Sequence, residues 1–194
     1  MNLIRSWITA VAIAALSHSA VAAPVLFAGS LSAGDPTYNR TLSGNPPSNL
    51  SAVGTAVSYD VYAFTVTANG TYVVETLSAD LGNGTTDDTF ISLYQNVFNP
   101  AASLSDVLAA DDDSGSGLLS TITATLSSGV NYFLVVSSFG NGQFGDYTGR
   151  FDTVTGGGQV VLAPGPTGVP EPATLMLVTL SLAGLAWTRR RRQA

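Results

Sequence analysis

The sequence of 194 residues contains no cysteine and no lysine, and its single histidine, His18, lies close to the N-terminus. Without cysteine there is no disulfide framework and no thiolate metal site. Seven residues are basic and thirteen are acidic, which gives a formal net charge of −6. This balance excludes a nucleic-acid-binding domain, and the length excludes a large two-domain enzyme.

The few basic residues are concentrated at the two ends of the chain. Arg5 lies near the start, four arginines lie near the end, and only Arg40 and Arg150 lie between them. Twelve acidic residues lie between positions 35 and 152, so this central segment has a net charge of −10. The sequence therefore predicts an acidic body between two apolar ends.

Residues 1–23 have the features of a secretory signal peptide. Arg5 is followed by an apolar stretch at 7–16 and by the small residues Ala20 and Ala22 at the −3 and −1 positions of a cleavage site. The apolar stretch is too short to cross a hydrocarbon layer of about 30 Å. We expect signal peptidase to cleave after Ala22, because cleavage one residue later would place Pro24 next to the cut bond. The alternative is an uncleaved anchor helix.

The C-terminal end combines two prolines, a short apolar stretch and a basic run. A transmembrane helix is predicted at about 173–188, and its fifteen apolar or small residues, 173–187, would span roughly 22 Å, which is short for a membrane crossing. The basic run predicts that this end stays in the cytoplasm and that the helix lies in the inner membrane. The order of the motif residues is Pro170, Glu171, Pro172, then Arg189, Arg190, Arg191 and Arg192.

This arrangement resembles the PEP-CTERM sorting signal of Gram-negative bacteria. The resemblance implies recognition by an exosortase, which is a membrane cysteine transpeptidase, and cleavage near the Pro-Glu-Pro motif. It further implies release to the cell surface or to the exopolysaccharide matrix of a biofilm. The alternative is an ordinary single-pass anchor that is never cleaved.

Residues 24–155 have the composition of a single all-β domain. Threonine, valine, tyrosine, phenylalanine and glycine dominate, and Glu75 is the only glutamate. Apolar and polar residues alternate at 121–126 and 147–153, and uniformly apolar runs at 90–94 and 132–137 suit central strands. About seven strands separated by turn residues predict a β-sandwich of the jelly-roll or Greek-key type. Residues 156–168, rich in glycine and proline, are predicted to be a linker.

Four segments between about residues 58 and 152 resemble the bacterial pre-peptidase C-terminal (PPC) domain. They are the strands 60–66 and 88–94, the acidic loop 111–115 and a closing hairpin at 126–147. The resemblance implies a small jelly-roll-like sandwich that accompanies secreted proteases and is not itself catalytic. Since no protease is attached here, what the resemblance implies for this chain is the fold and a calcium or polysaccharide contact.

The strongest candidate for metal binding is acidic. Adjacent carboxylates repel one another, and a hard cation such as Ca²⁺, which takes roughly six to eight oxygen ligands, relieves that repulsion. We predict Asp88, Asp111 and Asp113 as calcium ligands. Further oxygens could come from Ser114, Asn83 and Asn141. The spacing does not fit an EF-hand, and the alternative is a solvated acidic turn.

Removal of the signal peptide leaves a chain without histidine, cysteine or lysine. This excludes Ser-His-Asp and Cys-His catalysis, Schiff-base chemistry and the usual zinc sites. We therefore predict a non-catalytic exported protein with a structural or adhesive role in extracellular polysaccharide. A second interpretation is a calcium-dependent or glycan-binding module that uses Phe139 and Phe144. A third is a small glycan-acting enzyme that uses Asp88 or Asp111.

Overall fold

Residues 22–82 and 88–164 are described by the structure, which is a computed structural model. The predicted membrane helix, the sorting motif and nearly all of the predicted signal peptide lie outside these residues. Within them, no helix is long and apolar enough to cross a membrane.

The described chain forms ten β-strands that pair antiparallel in two sheets. The prediction of an all-β sandwich is confirmed. The strands are β1 (Val25–Leu31), β2 (Thr37–Tyr38), β3 (Val57–Val66), β4 (Gly70–Asp80), β5 (Thr89–Gln95), β6 (Val107–Asp111), β7 (Thr121–Leu126), β8 (Tyr132–Ser138), β9 (Gly145–Thr153) and β10 (Val160–Leu162).

The strand order, which the sequence did not indicate, alternates between the sheets. One sheet has four strands in the order β1-β9-β4-β7. The other has the order β10-β3-β8-β5-β6, and the short β2 pairs with β3. The chain therefore passes from one sheet to the other at most of its connections.

The main core lies between the two sheets. In β7, Ile122 and Leu126 point inward while Thr123 and Thr125 are exposed, as alternation along a half-buried strand requires. In β9, Tyr147 and Phe151 are buried in the same way. Gly149 leaves room for the ring of Phe27, which a side chain at position 149 would overlap.

A second hydrophobic cluster covers the outer face of the six-stranded sheet. Tyr38 packs edge-on against Phe98 at 5.5 Å between ring centroids, and Phe98 packs against Tyr94 at 4.8 Å. Val57, Val107 and Val135 complete this cluster. The central strands β5 and β8 are therefore covered on both faces, which explains their uniformly apolar sequences.

The linker predicted at 156–168 begins later than the sequence suggested. β10 pairs with the end of β3, Val160 opposite Val66, and the side chain of Val160 is only 7% exposed. The sandwich therefore continues past residue 155 to Leu162. Together with β1 and β2, this strand raises the strand count above the predicted seven.

Candidate functional site

An acidic group lies where β5 begins and β6 ends. Ile91 of β5 is opposite Asp111 of β6 in this antiparallel pair, so the two strand ends lie side by side. Asp88 directly precedes β5, and Asp112 and Asp113 directly follow β6. Carboxylate oxygens of Asp88, Asp112 and Asp113 lie within 4.8 Å of one another.

Two of the three predicted ligands, Asp88 and Asp113, are in this group, and Asp112 takes the place of Asp111. The carboxylate of Asp111 instead accepts hydrogen bonds from the Ser114 amide at 3.0 Å, the Ser114 hydroxyl at 2.6 Å and the Thr121 amide at 2.8 Å. Asp111 therefore closes the turn between β6 and β7. Asp112 and Asp113 lie past the end of β6, where the alternation of strand side chains no longer applies, so the sequence does not tell which of the three aspartates meet.

The other predicted oxygen donors have different roles. The Ser114 hydroxyl donates to Asp111, as described above. The Asn141 side-chain oxygen accepts from the Ala56 amide at 2.8 Å, and its nitrogen donates to Thr55 at 2.9 Å. Asn83 lies outside the described residues.

Two carboxylate oxygens of the acidic group are buried from solvent and lack a hydrogen-bond donor among the described residues. Oδ1 of Asp88 and Oδ1 of Asp112 are buried and accept no hydrogen bond from the described residues. Burial, and next the negative charge of Asp113, raise the pKa of Asp112 to about 6. Burial and Asp113 also raise the pKa of Asp88. Concentrated negative charge of this kind favours a bound cation.

Arg40 supplies the positive charge nearest to this group, and the sequence analysis did not single it out. Its side chain is only 2% exposed. Its guanidinium lies 4.0 Å from the ring centre of Phe90 and 4.6 Å from that of Phe139. Burial lowers the pKa of Arg40, and the charges of Asp112 and Asp88 oppose that shift. The feature of the sequence that could have identified Arg40 is that only two arginines lie in the central segment 35–152.

Two backbone carbonyls hold the guanidinium in place. Nε of Arg40 donates to the carbonyl of Phe139 at 2.9 Å, and Nη1 donates to that of Thr41 at 3.0 Å. Gly54 packs directly against the arginine side chain, where a Cβ atom would overlap it. In the described residues the ion pairs within 4.0 Å are those of Arg150 with Glu75 and Asp152. Arg40 therefore attracts the acidic group by longer-range electrostatics, without a direct ion pair.

A buried hydroxyl network fixes the strand ends that carry the acids. Thr89 Oγ1 lies 2.8 Å from Thr76 Oγ1 and 3.0 Å from Ser120 Oγ. Thr89 begins β5, Thr76 belongs to β4, and Ser120 directly precedes β7. The network thus joins the two sheets next to Asp88 and anchors the end of the 112–120 turn.

The aromatic side chains do not form an open stacking surface. Phe139 and Phe144, the candidates for glycan contact, are each half-buried, and Arg40 covers the ring of Phe139. In the described part of the chain, the exposed large hydrophobic residues are all leucine or valine. A glycan that stacks on a flat aromatic platform therefore does not suit these residues.

Two solved structures are similar to this chain. One is a CBM35 from Cellvibrio japonicus Abf62, with 17% identity over 72% of this chain and 100% of the other, at a TM-score of 0.32. The second is a Xyl-CBM35 in complex with a glucuronic acid containing disaccharide, with 16% identity over 73% and 99%, at a TM-score of 0.34. TM-scores this low establish neither a common fold nor a common ligand.

No curated protein matches the sequence. The family model for the PEP-CTERM protein-sorting motif matches residues 168–192. These residues include the Pro-Glu-Pro sequence and the four arginines from which the sorting signal was predicted. The chain therefore carries a PEP-CTERM sorting motif, which implies an exported protein that an exosortase processes after a transient stay in the membrane.

Proposed function

We propose that this chain is a non-catalytic structural protein of the cell surface or of the exopolysaccharide matrix. The observation that carries the proposal is the sorting motif at residues 168–192. In this proposal the arginine tail stays in the cytoplasm while the sandwich lies outside the inner membrane. Exosortase cleavage near Pro170 then separates the sandwich from its anchor.

The side-chain chemistry of the body supports a structural role. After removal of the signal peptide, the chain has no histidine, cysteine or lysine to act as a nucleophile or a proton carrier near neutral pH. The described residues include eleven acids and two arginines. Of the two arginines, one is buried and the other is ion-paired.

The test compares cells with and without the exosortase. We expect a chain shortened at its C-terminus and located outside the cell only when the exosortase is present. Mass spectrometry of the C-terminal peptide gives the cut site. A Pro170→Ala, Pro172→Ala double variant should accumulate at full length in the inner membrane, whereas Pro164→Ala, outside the matched motif, should be processed normally. An unchanged chain length in both strains would contradict the proposal.

We also propose that the sandwich binds Ca²⁺ through Asp88, Asp112 and Asp113. The buried, unpartnered oxygens of Asp88 and Asp112 favour this candidate over a solvated acidic turn, since a carboxylate oxygen in a turn normally meets water or a donor. Three carboxylates supply part of the coordination, and backbone oxygens or water would complete it.

Calorimetric titration of the exported chain with CaCl₂ tests this candidate. We expect a saturable heat and a higher Tm with Ca²⁺ than with a chelator, because a ligand that binds only the native state stabilises it. The Asp112→Asn variant should lose both effects. Asp106→Asn, an exposed acid outside the group, should keep them. Equal Tm values with Ca²⁺ and with chelator would exclude the site.

A further inference from the structure

The charges of the four-stranded sheet lie on its two inner strands. β4 contains Glu75 and Asp80, and β9 contains Asp146, Arg150 and Asp152. The two edge strands, β1 and β7, contain no charged residue. Soluble sheets usually have the opposite arrangement, with charges, prolines or bulges on the edges that prevent pairing with another chain.

Both edge strands are also regular. β1 pairs with β9 over seven consecutive residues and β7 pairs with β4 over six, neither with a shift in register. A shift does occur between the inner strands, at Thr76 and Ser78. Neither edge strand contains proline. Charges, prolines and bulges, which usually protect an edge, are therefore absent from β1 and β7, although the Asp111 carboxylate occupies the outward amide of Thr121 at the start of β7.

The free side of β7 offers backbone hydrogen-bonding groups. The amide of Thr121 points away from β4, since it donates to Asp111. Alternate residues of a strand direct their N–H and C=O groups to the same side. Thr123 and Thr125 therefore present theirs outward as well. An open groove of about 260 Å³ lies beside the first three residues of β7, and its other walls are the end of β6 and residues 43–45.

β1 carries the most exposed large hydrophobic residue of the described chain. Leu26, the second residue of this uncharged strand, is 70% exposed on the face opposite the buried Phe27. Covering this side chain would remove apolar surface from water. Neither β1 nor β7 contains a carboxylate, and Asp111 lies at the start of the β7 edge, where it accepts from the Thr121 amide. Along the rest of these two strands, two copies can approach without opposing carboxylates on the paired residues.

The directions of the two edges are complementary. Four strands in the order β1-β9-β4-β7, each antiparallel to the next, leave β1 and β7 antiparallel to each other. A second copy in the same orientation therefore places its β1 antiparallel to the first copy's β7. The alternation of strands then continues from one copy into the next.

We infer that copies of this chain associate edge to edge, with β7 of one copy paired to β1 of the next. The contact is heterologous, because two different surfaces meet. Such contacts continue into open-ended assemblies unless a rotation closes them into a ring. This inference rests on the proposed function, because open-ended assembly is the property that a structural matrix protein needs.

Sedimentation velocity of the exported, processed chain tests the inference. We expect a concentration-dependent series of oligomers that grows with ionic strength, because salt screens the repulsion between acidic bodies. Thr123→Glu with Thr125→Glu blocks β7, and Leu26→Glu with Ala28→Glu blocks β1. Each variant should be monomeric alone, with association weaker by about tenfold or more. Thr148→Glu, on the inner strand β9, is the matched control and should still form oligomers.

Mixing the two blocked variants identifies the contact. Each variant keeps one free edge, so an equimolar mixture should form a heterodimer and nothing larger. Dimerisation of the β1-blocked variant alone would show pairing of β7 with β7 and overturn the inference. A monomeric wild-type chain at every concentration and salt would also overturn it. If that monomeric chain is still cleaved and exported by the exosortase, the proposed function stands while this inference fails.

Discussion

At the scale of single residues, Arg40 combines burial with a full positive charge. Two ring faces and two backbone carbonyls surround its guanidinium, and no carboxylate lies within 4.0 Å of it in the described residues. Hydrogen bonds to a charged donor and cation–π contacts are both stronger when water is excluded. Arg40 therefore stabilises the fold and also reduces the repulsion among the nearby acids.

Replacing Arg40 should cost much more stability than replacing the other arginine of the body. Arg40→Met keeps an unbranched side chain but removes the charge and its donors, so we expect a loss of about 3 kcal/mol in the free energy of unfolding. Arg150→Met, at a half-exposed ion pair, should cost less than about 1 kcal/mol. Urea denaturation measures both. Equal losses would show that burial adds nothing to the role of Arg40.

Asp60 is a second residue whose surroundings change its titration. The Tyr147 hydroxyl donates to Asp60 at 2.6 Å, and the Tyr62 hydroxyl lies 2.8 Å from that of Tyr147. Tyr62 also donates to the carbonyl of Ala28 at 2.9 Å. Burial raises the pKa of Asp60, the Tyr147 hydrogen bond opposes that shift, and Asp35 adds to it.

This raised pKa predicts how Asp60 affects stability with pH. The native state binds the proton more tightly than the unfolded chain, whose pKa is near 4. The contribution of Asp60 is therefore complete below the unfolded pKa and is lost as pH rises through the folded pKa. We expect the stability of the wild type minus that of Asp60→Asn to decrease from about pH 3.5 to 7 in urea denaturation. An increase over that range would contradict this.

At the scale of elements, β10 shows why short strands escape sequence analysis. It has three residues, follows a glycine run and precedes a proline. These features are typical of a linker, and three residues are too few to display a period of two. The longer β5 and β8 were recognisable because burial on both faces requires a run of apolar residues. The pairing of β10 depends instead on its contact with β3, which no local pattern encodes.

Two adjacent residues of β10 give a matched test of its role. Val160 is buried against the core, whereas Val161 is 49% exposed. Val160→Asp places a carboxylate in an apolar site and should lower the free energy of unfolding by about 3 kcal/mol. Val161→Asp should change it by less than about 0.5 kcal/mol. Similar, small losses for both variants in urea denaturation would mean that β10 is not part of the cooperative fold.

At the scale of the whole molecule, the excess of acids predicts a response to salt. Eleven acids face two arginines in the described residues, and like charges repel one another in the compact state. Added NaCl screens this repulsion, so we expect Tm to rise by about 4 °C from low to high ionic strength. Calorimetry with a chelator present separates screening from calcium binding. A Tm that falls with added NaCl would show that attraction between charges outweighs repulsion in the folded state.

The fold class and the approximate place of the acidic group could be predicted from sequence, but the details of the group could not. The clustered aspartates predicted a group of Asp88, Asp111 and Asp113, and of these Asp88 and Asp113 do lie together. The exchange of Asp111 for Asp112 depends on the turn after β6, in which the Asp111 carboxylate accepts hydrogen bonds from Ser114 and Thr121. Arg40 reaches the group from a distant segment through packing on Phe90 and Phe139. Such contacts arise from tertiary structure.

The short distance between β10 and the sorting motif limits how the protein can be handled at the membrane. Five residues separate Leu162 from position 168, and they reach about 20 Å at full extension. If the sandwich folds before the chain is cut near Pro170, as proposed above, the processing enzyme acts with the folded sandwich close to it. A longer stalk would increase that separation, so the timing of folding relative to cleavage becomes a property of those five residues.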